Sequence, residues 1–265
     1  MKNLVKNKSL LNNFLAIFVL AVLMLWAKTY ITQVTQFKLG VEGPLQQFLL
    51  LINPLGSALL FLSVAFLFKG KRKLTVLIFI YTLMTILLFA NAVYYRFFSD
   101  FITLPTISQT QNFGDLGGSV LTLLKPYDVL FFVDIFVLIY IRFSKKINFQ
   151  SGKIGFKMPA AVVAAAIILS IVNLQLAEAD RPDLLSRGFD RSYIVKYLGM
   201  YNYSIYDSVK TFEASSERAS ADSSDIAEII NYTNSFSSQP NEKYFGKAKD
   251  MNVIYLHLES MQSFL

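Results

Sequence analysis

For its first two thirds the chain alternates long apolar runs with short charged segments, and then its character changes. Five runs, at residues 9–27, 45–68, 74–95, 125–143 and 158–177, carry almost no charge. A helix needs about 20 apolar residues to cross the hydrocarbon of a bilayer, so the pattern predicts five transmembrane helices. Lys2, Lys6 and Lys8 precede the first run in the manner of a secretion signal. That run is longer than the usual signal core and four more follow, so it reads as an uncleaved first helix. Beyond residue 177 the apolar periodicity fades into polar, helix-forming and turn-forming stretches.

The charges between the runs orient them. Loops on one side hold Lys2, Lys6, Lys8, Lys69, Lys71, Arg72, Lys73, Arg142, Lys145, Lys146, Lys153 and Lys157; those on the other hold only Lys28, Lys38, Arg96 and Lys125. Lys and Arg collect on the cytoplasmic side, which predicts a cytoplasmic N-terminus and an extracellular C-terminal part. Trp26, Tyr30, Tyr94, Tyr95 and Tyr127 fall at the outer helix ends, as an interfacial aromatic belt would.

Composition agrees. Hydrophobic residues make up 54% and charged residues 16%, with a mean hydropathy of +0.45, whereas a soluble domain carries roughly 25% charge. The net charge of +7 divides unevenly, +11 over residues 1–176 and −4 over the remainder. Positive charge that lies between apolar runs marks topology, and nucleic-acid binding is rejected. The absence of Cys excludes disulfides and thiolate sites, and a single His, His257, excludes a multi-His metal site.

Within the runs, Asp134 lies near mid-membrane, where a carboxylate is costly. It is either a functional group or a packing residue hydrogen-bonded to a neighbouring helix. Arg96 sits in the aromatic cluster Tyr94-Tyr95-Arg96-Phe97-Phe98, where it could meet a lipid phosphate or pair with Asp100 at the surface. Asn53-Pro54 and Asn91 read as kink and packing features. Tyr193, Tyr197 and Tyr201 recur every four residues, predicting a helix that lies in the interface or packs on an outer domain. Residues 213–225 are small and polar, which predicts a linker, and Ala219-Ser220-Ala221 has the small-x-small form a signal peptidase accepts. A short helix is expected at residues 225–236, with Asp225 as its cap. The apolar run Asn252-Val253-Ile254-Tyr255-Leu256-His257-Leu258-Glu259 predicts a buried strand. Glu259 at its carboxyl end is a surface Glu or a metal ligand, and His257 reads as a strand-packing residue.

Five spans followed by Asp180-Arg181-Pro182-Asp183-Leu184-Leu185, Tyr197-Leu198-Gly199, Tyr206-Asp207, Ala219-x-Ala221 and Ile254-Tyr255-Leu256-His257-Leu258-Glu259-Ser260 resemble the lipoteichoic acid synthases of Gram-positive bacteria. The resemblance implies an α-helical polytopic membrane domain with N-in, C-out topology at residues 1–177. Extracellular juxtamembrane helices and linker would follow at 178–245, and the first strand of a truncated α/β sulfatase-like domain at 246–265. It implies transfer of glycerol phosphate from phosphatidylglycerol onto a glycolipid or growing lipoteichoic acid chain, through a Thr nucleophile beyond Leu265. It also implies Mn2+ with Glu259 as one ligand, and signal-peptidase processing at Ala219 and Ala221 that releases the outer part. One carboxylate cannot hold a catalytic ion, so the fragment alone is expected to be inactive. The chain's end at Ser263-Phe264-Leu265 reads as the N-terminal portion of a longer enzyme. A phosphoethanolamine transferase of the same superfamily and a non-catalytic polytopic lipid-binding protein are the alternatives.

Overall fold

A computed structural model of the chain describes residues 14–108, 122–144, 155–186, 190–220, 223–236, 242–252 and 254–256. The chain divides into two compact units, residues 1–213 and 214–265, and among the described residues it is helical, with no strand. Helices α1 (Phe14–Gln36), α2 (Gly43–Ser63, extended by a 3-10 turn to Leu67), α3 (Arg72–Phe98) and α6 (Lys157–Asp180) are each long and apolar enough to cross a membrane. The predicted fourth span appears as α5 (Leu130–Phe143), 14 residues preceded by a 3-10 turn over Pro126–Val129. At about 1.5 Å per α-helical and 2.0 Å per 3-10 residue, the two pieces together reach about 29 Å, close to a bilayer's hydrocarbon thickness. The result is an α-helical polytopic membrane domain.

Its lipid-facing positions are apolar and uncovered by protein: Phe79 on α3 is 61% exposed and Phe136 on α5 is 67% exposed. Such exposure would be a liability in water and is expected of residues facing acyl chains. At the Lys73 end of the bundle, Phe14, Phe18 and Phe66 pack with ring centroids 4.7–6.4 Å apart. At the Arg96 end, Phe37, Tyr95 and Phe101 form a second aromatic knot. Helices α2 and α6 pack through small residues: a Cβ at Gly56 would stand 3.5 Å from Ser170 Oγ and 3.6 Å from Leu169 Cβ. Helix approach of this kind replaces the missing hydrophobic drive inside a bilayer. Pro54 lies within α2, which continues through it, and both Asn53 and Pro54 are buried.

A short helix, α4 (Leu104–Ser108), follows α3, and α7 (Arg191–Leu198) and α8 (Met200–Ser220) follow α6. The Asp190 carboxylate caps α7 by accepting from the Ser192 N–H at 2.9 Å. Tyr197 and Tyr201 are buried in the first unit while Tyr193 is 37% exposed, so this part of the tyrosine-rich stretch packs onto the membrane helices.

Three expectations are corrected. Residues 213–220, expected as linker, continue α8, because Ala, Glu and Arg are good helix formers that need no apolar stripe to stay helical. The following helix, α9 (Ser223–Ser235), begins two residues earlier than expected. The strand expected from Asn252 is not formed at Asn252 or at residues 254–256. Ile254, Tyr255 and Leu256 are 78–84% exposed; a strand requires a ladder partner, and none exists among the described residues.

Candidate functional site

The polar side chains that the apolar pattern cannot accommodate gather into three clusters in the first unit. The first ties α1, α3 and α5 together in the middle of the bundle. Lys28 Nζ donates to Asp134 Oδ1, Thr85 Oγ1 and the Phe131 carbonyl, each at 2.9 Å, which uses all three donors of an ammonium. Tyr81 donates to the other carboxylate oxygen of Asp134 at 2.5 Å, and its ring lies 4.7 Å from Lys28 Nζ. The side chains of Lys28 and Asp134 are 10% and 19% exposed. Met84, one turn along α3 from Tyr81, lies about 18 Å from the start of that helix by rise. Asp134 is therefore a part-buried charge partnered from two other helices, α1 and α3. Lys28, counted in a loop by the sequence reading, lies inside α1, which runs nine residues past the predicted span end.

The second cluster lies at the end of α3. Arg96 forks onto Asp128, Nη1 to Oδ2 at 2.8 Å and Nη2 to Oδ1 at 2.6 Å. Its Nε and Nη2 also reach Gln36 Oε1 at 3.2 and 3.1 Å, and Nη1 reaches the Leu123 carbonyl at 3.1 Å. Five bonds match the five N–H groups of a guanidinium, so no donor is left for a lipid phosphate in this arrangement. Asp100, the alternative partner, bonds instead to Arg191. Asp128 Oδ2 also accepts from the Lys125 N–H at 2.8 Å and so caps the turn that leads into α5.

The third cluster seats the α7–α8 elbow. Asp180 accepts from Tyr197 Oη at 2.6 Å and from Gln46 Nε2 at 3.0 Å. Burial and the Asp180 carboxylate push the Tyr197 phenol up to about 12. Lys196 Nζ donates to the Gly40 carbonyl at 3.1 Å, and burial holds its ammonium below the usual lysine range against the pull of Glu42 and Asp180. At the elbow, Gly199 adopts φ +81° and lies against Asn53: a Cβ there would come 2.8 Å from Asn53 Cβ. Only glycine satisfies both the left-handed backbone and the approach. Asn53 accepts from Asn173 Nδ2 and reaches the Lys196 carbonyl at 3.5 Å, while Ser57 Oγ bonds to Asn202 Oδ1 at 3.2 Å. The Gln33 amide, which would lie 3.5 Å from a Cβ at Gly199, is buried without a partner among the described residues, as is the Tyr203 hydroxyl.

Of the residues named from sequence, Asp134 and Arg96 stand in separate clusters. Ala219 is exposed in the last turn of α8, and Ala221, His257 and Glu259 lie outside the described residues. No group of three or more His, Cys, Asp or Glu that could hold a metal occurs among the described residues. Sequence reasoning missed Lys28, Tyr81, Gln33, Asn173 and Gly199. For Lys28 a signal existed: Tyr30, Ile31 and Val34 continue the apolar register of α1 past it.

Residues 1–220 match the family described as the lipoteichoic acid synthase N-terminal domain. Over 266 aligned residues, 100% of this chain, it is 46% identical to lipoteichoic acid synthase 2 of Bacillus subtilis (strain 168). Lipoteichoic acid synthase 1 of the same organism is 45% identical over 97% of the chain, and the lipoteichoic acid synthase of Staphylococcus aureus (strain USA300) is 42% identical over 94%. The chain spans about 40% of the length of these curated relatives. No solved structure matches.

Proposed function

Because the chain belongs to the lipoteichoic acid synthase family and corresponds to its N-terminal portion, we propose that it is the membrane platform of a glycerophosphotransferase. In the intact protein this enzyme moves glycerol phosphate from phosphatidylglycerol onto a glycolipid-anchored or growing lipoteichoic acid chain. The observation that carries the reading is the match over residues 1–220, reinforced by identity of 42–46% to named synthases. The reaction's nucleophile, a Thr, lies beyond Leu265 in this reading, and the fragment by itself is inactive.

The platform crosses the cell membrane of a Gram-positive bacterium five times, with α5 and its leading turn as the fourth crossing and the Arg96 end outside. Residues 1–177 span, 178–245 form the extracellular juxtamembrane part, and 246–265 begin the sulfatase-like domain. Glu259 supplies one oxygen to a manganese centre whose remaining ligands belong to that domain. A signal peptidase cuts after Ala221, and Ala219 must leave the last helical turn before it can enter the protease in extended form. The α7–α8 elbow, clamped through Tyr197, Lys196 and Gly199, fixes where the chain leaves the membrane helices.

Expressing the intact protein in a host that makes phosphatidylglycerol but no glycerol phosphate polymer tests the reading. A polymer recognised by a polyglycerolphosphate antibody should appear. Phosphoethanolamine-modified lipid in its place would establish the superfamily alternative, and neither product would leave the non-catalytic lipid-binding reading.

A further inference from the structure

Between α2, α3 and the first three turns of α8 lies an open cleft of about 660 Å³, within the range of ligand-binding pockets. Phe61 and Val64 form one wall, Leu83 and Leu87 the second, and Ile205 and Val209 the roof. Among the described residues no charged one lines it, and its polar groups are the Ser204 and Ser208 hydroxyls and Tyr201. The Tyr201 hydroxyl is engaged elsewhere, donating to the Met84 carbonyl at 3.0 Å, while Ser204 and Ser208 bond back to the Met200 and Ser204 carbonyls of their own helix. The lining therefore offers hydrocarbon and little else.

Helix α8 carries Tyr201, Ile205, Val209 and Phe212 along one stripe. Tyr201 is buried, but Ile205, Val209 and Phe212 are 41%, 50% and 75% exposed. The facing side chains Val64 and Leu83 are 40% and 50% exposed. Phe61 and Tyr201 meet edge to face with ring centroids 6.5 Å apart, and Leu83 belongs both to the cleft lining and, with Phe79 and Ile86, to the exposed apolar face of α3. The Met84 to Tyr201 bond puts one end of the cleft at the midpoint of α3, within the hydrocarbon layer.

From this continuity with the lipid-facing surface, and from the uncharged lining, we infer that the cleft holds one acyl chain of a bilayer phospholipid, with the α8 stripe as its cover. The site goes beyond the glycerol phosphate reading and does not depend on it, since it requires only that α2 and α3 cross a bilayer.

Trp26 is the one tryptophan of residues 1–265. The intact protein carrying Trp26→Phe, with every tryptophan beyond Leu265 also replaced by Phe and with either Ile205→Trp or Val209→Trp, is reconstituted into phosphatidylglycerol–phosphatidylcholine vesicles. A fraction of the phosphatidylcholine carries bromine at mid-chain. Phe79→Trp serves as the lipid-facing reference. Quenching of both cleft reporters should reach at least half that of the reference, and adding Ser208→Phe should cut it at least twofold while leaving the reference unchanged. Quenching by aqueous acrylamide instead would mean a water-filled cleft. Quenching by neither agent would mean that protein, from this chain or a second copy, fills it. Bromine quenching indifferent to Ser208→Phe would mean contact with bulk lipid only. Each of these three results overturns the proposal.

Discussion

Removing the Asp134 carboxylate should loosen α5 from the bundle more than any other single change in the membrane helices. Asp134→Ala leaves Lys28 buried with only the Thr85 hydroxyl and the Phe131 carbonyl, and leaves the Tyr81 hydroxyl without its acceptor. Breaking a buried ion pair from one side costs about 3–5 kcal/mol. For a unit of some 200 residues each kcal/mol moves the melting temperature by about 2–4 °C, so the midpoint should fall by about 6–20 °C. Replacing the whole cluster by apolar residues of similar volume is a different perturbation, because no charge is left stranded. The triple variant Lys28→Met, Tyr81→Phe, Asp134→Leu should regain most of the loss, as buried pairs exchanged for hydrophobic groups commonly do. The assay is thermal unfolding of the intact protein in detergent micelles, with every tryptophan beyond Leu265 replaced by Phe, followed by the fluorescence of Trp26 and by far-UV circular dichroism. The reasoning is refuted if Asp134→Ala melts within 2 °C of the parent, or if the triple variant melts no higher than the single.

Arg96→Lys should cost about 2–4 kcal/mol, since an ammonium cannot reproduce the fork onto Asp128, and binding to anionic vesicles should stay unchanged; weaker vesicle binding at unaltered stability would restore the headgroup role. Gly199→Ala should cost at least about 1–3 kcal/mol through its positive φ and the contact with Asn53 Cβ, and should speed proteolysis after Arg191 and Lys210; protection equal to the parent's would show that the elbow is not clamped. Tyr197 has a phenol raised to about 12 against an ordinary value of 10, so its protonated form is favoured by folding. That contribution is complete below pH 10 and is lost as pH rises from about 10 to 12. Tyr197→Phe should therefore show a shallower alkaline fall in melting temperature over that window, and parallel curves for parent and variant would contradict the assignment.

How much of this was legible in the sequence follows from which forces act locally. Four spans could be read to within a few residues at most ends because apolar run length alone decides them. The end of α1 was misplaced because Lys28 looks like a loop residue until Asp134, 106 positions away, is seen to neutralise it. For the same reason Asp134 could be flagged but not partnered. Arg96 suggested a headgroup contact because Asp128 and Gln36 come from other segments, and no periodicity announces that they converge. Residues 213–220 were expected as linker because their helix lacks an apolar stripe, which is the signal sequence reading relies on. The strand expected near Asn252 has the right local pattern, but a strand is a property of a sheet, and no pairing partner is described.

The most direct measurement of the central claim is product analysis with the intact protein in vesicles of phosphatidylglycerol labelled in its headgroup glycerol, compared with the Glu259→Gln variant. The account predicts that label passes into a lipid-insoluble polymer of alternating glycerol and phosphate, with one diacylglycerol released per unit added. It also predicts that Glu259→Gln binds less manganese and forms no polymer. Label that stays entirely in the lipid phase, or a Glu259→Gln variant that keeps both its manganese and its turnover, would contradict it.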